Sequence, residues 1–265
     1  MRQFSPEYLR DTRRGLWEDR APLGEMLAGN PEQILDVGAG TGEFTRVLRE
    51  ESGAEVFALD ADATLLAAGG VANAVQGAAT ALPFPDDAVD LVACQALLIN
   101  LPSPAAALAE ARRVAADRVG AVEPDNGSVT VDSTVAAEAS LARRAREAFT
   151  AGLQTDAALG ANLGDRFDAA GLVDVHVTRM DHVRTVEPPY STAAVESARR
   201  KVRATRLDDH RETMLAGGLG TAAFESLRDE WQAMGRAVVD QMRAGEYRRT
   251  ETVPFSVAVG RVAED

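Results

Sequence analysis

Lysine is almost missing from this chain. Of 28 basic side chains only Lys201 is a lysine, and the other bases are all arginine. Acids outnumber bases, 41 to 28, which leaves a net charge of −13. A surface of that sign repels phosphate backbones, so a general nucleic-acid-binding role is disfavoured. Adaptation to high salt, giving a halophilic protein, and a GC-rich genome favouring Arg and Ala codons both fit this composition.

Cysteine is nearly absent too. A single Cys94 excludes an internal disulfide framework and a Cys-based zinc site. The three histidines, His176, His182 and His210, form no metal-ligand spacing, so no metal is expected. No signal peptide is expected either, because the opening "MRQFSPEYLRDTRR" is charged from its second residue. The two stretches without charge, Ala63–Pro85 and Leu91–Ala109, carry proline and amide side chains and are rich in Ala or Gly. Neither reads as a membrane span, so a soluble cytoplasmic protein without membrane contacts is expected.

What the chain does have is apolar residue, 46% of 265, enough for one large domain or a domain carrying a smaller cap. Ser5-Pro6-Glu7 starts a helix: Ser caps it, and Pro fits the first turn. Strands are then expected at Gln33–Val37, Glu55–Leu59, Ala74–Gln76, Asp90–Cys94 and Val119–Val122. Helices fall between them at Gly42–Glu51, Asp62–Ala68 and from Ser103-Pro104 to about Ala116. Such alternation implies βαβ units and a parallel sheet. The chain turns helical from Thr134 to about Leu153, and Arg166–Ala170 is a helix stopped by Gly171. Val173, Val175 and Val177 alternate as a strand, as do Phe255, Val257 and Val259. Residues 192–245 read as a helical insertion, in which Phe224, Leu227, Trp231, Met234, Val238 and Met242 form a packing face.

The first strand runs into "ILDVGAGTGEF", with Gly38, Gly40 and Gly42 at the strand–helix junction. Ligands of open α/β sheets bind at such carboxyl ends. The dinucleotide fingerprint puts its third glycine three residues after the second, where this chain has Glu43. A carboxylate in that first turn repels a pyrophosphate by roughly 4 kcal/mol at about 4 Å and an effective dielectric near 20. With Asp36 adding a second acid, the loop suits a ligand carrying positive charge.

"LDVGAGTGEF" resembles the first motif of the class I S-adenosylmethionine-dependent methyltransferases. "VFALDAD" is similar to their second-strand motif, and "VQGAATALPFPDDAVDLV" to the block before the fourth strand. "GLVDVHV" and "FSVAVGRV" resemble their last two strands. The likeness covers about residues 30–186 and 251–262, and is nearest to the small-molecule branch that includes ubiquinone- and menaquinone-biosynthesis (type 11) methyltransferases. It implies a Rossmann-like three-layer α/β sandwich with a seven-stranded, mostly parallel sheet and an antiparallel last strand. It also implies S-adenosylmethionine as cofactor, held by Asp36, Gly38, Gly40, Gly42, Asp60, Ala61, Ala78, Ala79 and Gln95, with Asp60 on the ribose hydroxyls.

Two positions depart from the family. Gly77-Ala78-Ala79 stands where relatives often have Gly-Asp-Ala, so no side chain there accepts from the adenine amino group. Ile99-Asn100 stands where relatives often carry His-His, so no family base can be carried over.

Methyl transfer from a sulfonium is an in-line displacement of an already activated group, so positioning supplies much of the rate. A base is needed only where the acceptor must lose a proton early. Glu123, Asn126 and His182 are the candidates on the acceptor side; a solvated loop acid is the alternative for Glu123, and a structural role for His182. "ACQ" around Cys94 imitates the cytosine-5 methyltransferases but lacks their Pro, and a small buried thiol is the default. The basic run "ARRKVRATR", Ala198–Arg206, could draw an anion or be a solvated helix face. Tyr8, Arg14 and Trp17 could close a lid, or simply pack.

The expected layout is an N-terminal helical lid over 1–28, a cofactor-binding core over 29–190 and 250–265, and a helical cap over 191–249. The partner expected is a small-molecule substrate; the sequence specifies no oligomeric state. Two rival readings stand beside methyl transfer: a nicotinamide-dependent (NAD) oxidoreductase, and a non-catalytic module of the same fold that binds the cofactor without turnover.

Overall fold

The computed structural model describes residues 5–263. Its strands are β1 (Gln33–Val37), β2 (Glu55–Asp60), β3 (Ala74–Gln76), β4 (Val89–Gln95), β5 (Ala115–Pro124), β6 (Thr130–Ser133), β7 (Val173–Val186) and β8 (Arg249–Arg261). The helices of the first half are α1 (Pro6–Arg13), α2 (Glu43–Ser52), α3 (Ala63–Gly69), α4 (Pro104–Val114) and α5 (Glu138–Ala151). Those of the second half are α6 (Leu163–Ala169), α7 (Thr192–Arg203), α8 (Thr205–Asp209), α9 (Arg211–Ala216) and α10 (Thr221–Ala244). The chain divides into two compact units, one of residues 1–126, 155–182 and 254–265, the other of residues 127–154 and 183–253. No helix among the described residues is long and apolar enough to cross a membrane.

In the first unit the strands lie in the order β3-β2-β1-β4-β5-β8, and β7 also pairs with β8. β1 runs parallel to β2 and β4, with Asp36 beside Ala58 and Ala93. β8 runs antiparallel to β5, from Pro124↔Phe255 to Arg118↔Arg261. Ile34, Leu35, Val92, Ala121 and Val122 are fully or almost fully buried, as central strands covered on both faces require. The helices between strands are delimited by local chemistry. Asp62 caps α3 by accepting from the Thr64 amide at 2.8 Å, and Gly53 ends α2 in the left-handed conformation. Ser5 caps α1 through the Tyr8 amide at 3.2 Å, whereas Ser103 makes no capping hydrogen bond to α4.

The sheet gains an eighth strand beyond the seven expected. β6, in "GSVTVDS", pairs with the start of β8 from Thr130↔Thr252 to Ser133↔Arg249. β7 and β8 also extend further than the Val alternation indicated, because charged residues occupy much of β7 and the first part of β8. From Arg179 onward exposed and covered positions of β7 alternate, but the covered ones are Met180, His182, Arg184 and Val186, so the period does not appear as an apolar alternation in the sequence.

The second unit is built on α5, α7, α8, α9 and α10. Phe224, Leu227, Met234 and Val238 of α10 are buried with Leu141, Leu207 and Tyr247, while Trp231 and Met242 are half-buried against the same core. α10 approaches α7 closely at Gly235: a Cβ there would lie 2.6 Å from the carbonyl carbon of Lys201 and from the Val202 nitrogen. Gly235→Ala should therefore destabilise the protein by about 1–3 kcal/mol through backbone overpacking, against a helix-propensity gain of about 1 kcal/mol. Urea denaturation of the variant beside Gly53→Ala checks this. Gly53 has open space around it but a positive φ of 69°, so its cost is conformational rather than steric. An undiminished midpoint for Gly235→Ala would contradict the close helix approach.

Candidate functional site

The turn after β1 is fixed from below by β2. The amides of Gly38 and Ala39 both donate to the Leu59 carbonyl, at 2.7 and 3.0 Å. The Gly40 amide donates to Asp60 Oδ2 at 2.8 Å, and the Asp62 amide to Asp60 Oδ1 at 2.8 Å. Gly38, Gly40 and Gly42 have φ of 76°, 56° and 76°. At Gly42 space adds to conformation, since a Cβ would lie 2.2 Å from Val71 Cγ2. Each Asp60 oxygen, holding one backbone N–H, retains capacity to accept a ligand hydroxyl.

Asp36 lies under this turn, 1% exposed. Thr45 Oγ1 donates to its Oδ2 at 2.6 Å, whereas Oδ1 is buried without a hydrogen-bond partner. Burial lifts its pKa to about 6, against the opposing Thr45 hydrogen bond. An orphaned acceptor oxygen of this kind fits a ligand bringing a cationic donor.

Glu43 is not a bare charge. Thr41 Oγ1 lies 2.7 Å from both of its oxygens, Arg13 Nη1 3.2 Å and Arg46 Nη2 3.5 Å away. The two guanidiniums offset part of the repulsion that the sequence assigned to an isolated carboxylate. Arg49 acts on Asp36 as well, so Asp36, Glu43 and Asp60 are matched by three arginines around the turn.

α1 brings Leu9 and Arg13 over Gly40: a Cβ there would lie 3.0 Å from Leu9 Cδ1 and 3.6 Å from Arg13 Nη1. Trp17 stacks on Phe44 with ring centroids 5.3 Å apart, and its Nε1 donates to Gln95 Oε1 at 2.9 Å. Tyr8 is 47% exposed and Arg14 is exposed. Arg13 is thus an arginine at the turn.

Beyond β2 and β3, Gln76 Nε2 donates to the Ala61 carbonyl at 3.2 Å and the Gly77 amide to the Asp60 carbonyl at 3.1 Å. Ala78 is exposed and Ala79 half-buried. Their side chains carry no polar atom, so at these two positions only the backbone can hydrogen-bond.

Glu123, at the end of β5, is wholly buried rather than a solvated loop acid. Its Oε1 accepts from the Leu97 and Leu98 amides at 2.9 and 2.8 Å, and Oε2 from the Ile99 amide at 3.3 Å. It therefore ties down the turn that follows β4, and Leu97 of that turn lies beside Gly38. Burial raises its pKa to about 7, against those three amides. Asn126 Nδ2 donates to the Ala157 carbonyl at 2.9 Å. His182 is buried, with its ring edge-on to Phe255 at 6.4 Å. The Cys94 thiol is pushed far up by burial, with Glu123 and Asp36 adding to the effect, so a thiolate nucleophile there is disfavoured. Among the described residues no group of three or more His, Cys, Asp or Glu side chains could hold a metal ion.

The residues missed from the sequence are Thr45, Arg13 and the Leu97–Ile99 amides. Thr45 had a signal, lying nine residues after Asp36 on α2, the helix that follows β1. The other contacts join distant segments.

Residues 35–118 match the family model of a methyltransferase domain. The demethylmenaquinone methyltransferases of Mycobacterium bovis and Mycobacterium tuberculosis are each 39% identical over 97 residues, 36% of this chain and 41% of theirs. The matched stretch thus spans about two-fifths of the length of those relatives. A crystal structure from Bacillus halodurans C-125, assigned as a methyltransferase, shares the fold with a TM-score of 0.52 at 15% identity, covering 93% of this chain and 99% of that one.

The two buried carboxyls make a stability prediction. Their folded pKa values lie above the unfolded ones, so the native state holds more protons between about pH 4 and pH 7. Stability contributed by the neutral forms is full below about pH 4 and is lost as pH rises through 6 and 7. The loss is on the order of 3 kcal/mol for each group. Glu110, held down to about 2 by Arg113, changes its charge below that window. Asp36→Asn and Glu123→Gln should each flatten the decline in urea midpoints measured from pH 4 to 8. Slopes equal to wild type would exclude burial as the cause.

Proposed function

We propose that the chain is a class I methyltransferase that transfers the methyl group of S-adenosylmethionine to a small-molecule acceptor by in-line displacement, a reading supported by the match of residues 35–118 to a methyltransferase domain. The observation that carries the reading is the acidic glycine turn: three left-handed glycines braced by Asp60 above a buried Asp36 with one orphaned oxygen. When bound, the cofactor supplies a methyl group already activated on a sulfonium.

The residues of this chain then divide the work. Asp60 accepts from the ribose hydroxyls while keeping its two backbone amides. The Gly38–Gly42 turn admits the amino-acid portion close to the backbone, and the Asp36 oxygen favours its ammonium charge. The backbone of Ala61, Ala78 and Ala79 faces the adenine, and Gln95 is held beside the site by Trp17. Glu123 acts through the turn after β4: its oxygens are engaged by three amides, which suits a positioning residue better than a free base. Asn126 and His182 are candidates for orienting the acceptor. Acceleration then rests on positioning, not on a named base.

The acceptor is read as a small molecule because net charge −13 disfavours nucleic acid. The mycobacterial relatives are named for demethylmenaquinone, but the match covers 36% of this chain, so their acceptor is not carried over. A cytoplasmic location belongs to the same reading.

Titration calorimetry should give heat with S-adenosylmethionine and none with NAD. Asp60→Ala should weaken cofactor binding about 10- to 100-fold, the loss of a hydroxyl-binding carboxylate together with the brace of the turn. Labelled methyl should pass from the cofactor to a metabolite in a cell extract. Saturable NAD binding would favour the oxidoreductase. Cofactor binding with no label transferred to any extract would favour the non-catalytic module.

A further inference from the structure

The carboxamide of Gln95 is built into the end of β4 with one half engaged and the other free. Gln95 is 2% exposed and follows the Val37↔Cys94 pair, so it stands level with Gly38. Strand alternation puts its side chain on the face opposite the Cys94 thiol. Trp17 Nε1 donates to Gln95 Oε1 at 2.9 Å. An indole N–H only donates, so its partner is the amide oxygen, and the orientation of the carboxamide is fixed. The indole is itself held, stacked on the buried Phe44 with ring centroids 5.3 Å apart. Gln95 Nε2 makes no hydrogen bond among the described residues, nor is it one of their fully enclosed orphan atoms. Two N–H donors therefore open at the strand end.

The turn that continues from this amide is over-determined. Ala96 has a left-handed φ of 49°, which an alanine holds only under constraint. Its amide donates to the Val122 carbonyl at 2.8 Å, and its carbonyl accepts from Asn100 Nδ2 at 2.8 Å. Glu123 takes the next three amides, so both of its oxygens face the backbone of this turn. β1 with its glycine turn flanks Gln95 on one side and β5 on the other. The buried acid at this strand end is thus spent, and what Gln95 offers is a donor. A donor fixed before binding favours a ligand that brings an acceptor and rejects one that cannot pair with it. A protonated amine brings only donors; an enol or phenol oxygen accepts. A hydrogen bond to such an oxygen also favours its ionised form, which is the nucleophile.

We propose that Gln95 determines the class of methyl acceptor: its fixed NH2 donates to the acceptor oxygen that is methylated, or to the oxygen conjugated with the carbon that is methylated, and Trp17 is the positioning residue that sets the amide. The inference rests on the methyl-transfer reading and names the acceptor class within it, an enol or phenol rather than an amine. Ionisation releases the acceptor's proton to solvent, so no side-chain base is required. The anion's electron pair then bonds to the methyl carbon while the carbon–sulfur pair leaves with sulfur.

Label transfer from tritiated S-adenosylmethionine into a dilution series of one cell extract gives an apparent kcat/KM for the full chain, and calorimetry with S-adenosylmethionine gives its cofactor Kd. Gln95→Met removes the donor. It should lower the apparent kcat/KM about tenfold or more, leave the cofactor Kd within about twofold, and move the rising limb of the pH–rate profile to higher pH. Gln95→Glu keeps an oxygen for the indole and puts a second oxygen where the NH2 was. Assayed above pH 7, where the buried carboxyls of Asp36 and Glu123 ionise at about 6 and about 7, it should lose at least as much, and it serves if Gln95→Met does not fold. Trp17→Phe keeps the stack and removes the N–H. It should lower the apparent kcat/KM of the wild type and not that of Gln95→Glu, whose two oxygens are equivalent, a non-additivity that a merely structural tryptophan would not produce. The labelled methyl should sit on oxygen or carbon. No transfer by the wild type to any extract overturns the methyl-transfer reading and this inference together. Transfer that both Gln95 variants leave unimpaired, a cofactor Kd raised tenfold by Gln95→Met, or a methyl on an amine nitrogen overturns this inference alone.

Discussion

One carboxylate at the end of β2 holds the turn that follows β1. Asp60 takes the Gly40 amide on one oxygen and the Asp62 amide on the other, both at 2.8 Å. The first hydrogen bond fixes the glycine turn, and the second sets the chain's departure toward α3. A single side chain thus couples two strand ends that are parallel neighbours in the sheet. Neither oxygen is saturated, so the group that shapes the turn also faces whatever binds against it. Strand order supplies this economy, because parallel neighbours bring their carboxyl ends to one edge.

Around that edge, acids are buried where an apolar side chain would pack more cheaply. Asp36 and Glu123 are both removed from water and both have raised pKa values, yet they are used differently. Glu123 is satisfied by three backbone amides of the turn after β4, so its role is to hold that turn. Asp36 has one oxygen bonded to Thr45 and one left unpaired. A satisfied buried carboxylate reads as structural positioning, and an unsatisfied one as capacity for a ligand. Cys94 is perturbed by both acids and stays a buried thiol, which argues against the nucleophile its flanking residues imitate.

The second unit shows the same logic in reverse. Its helices meet over Phe224, Leu227, Met234 and Val238, with Gly235 allowing α10 to approach the backbone of α7. Within this apolar packing, Glu138 gathers the hydroxyls of Ser133 and Tyr247 with the sole lysine of the chain. Lysine scarcity, a compositional oddity in the sequence, acquires a place: the ammonium at Lys201 is a compact charge against a nearly buried carboxylate.

Much of the fold was legible because its signals are local. Buried strands such as Gln33–Val37 are short apolar stretches, here interrupted by Asp36, glycines mark the turn at 38–42, and Asp62 announces a helix. The α10 stripe was read as a packing face from spacing alone, and its residues do lie in or against one core. β6 and the long reach of β7 were not legible, since β6 has no fully buried position and the covered face of β7 carries His182 and Arg184 among its residues. The sequence by itself determined the order of strands and helices and the acids and glycines of the turn, because propensity and hydrophobic period act between near neighbours. Only the tertiary structure decided that Glu123 is an anchor for Leu97–Ile99, that Arg13 meets Glu43, and that Lys201 meets Glu138. Those depend on which distant segments the sheet and helices bring together, and on the burial that changes what a charge can do there.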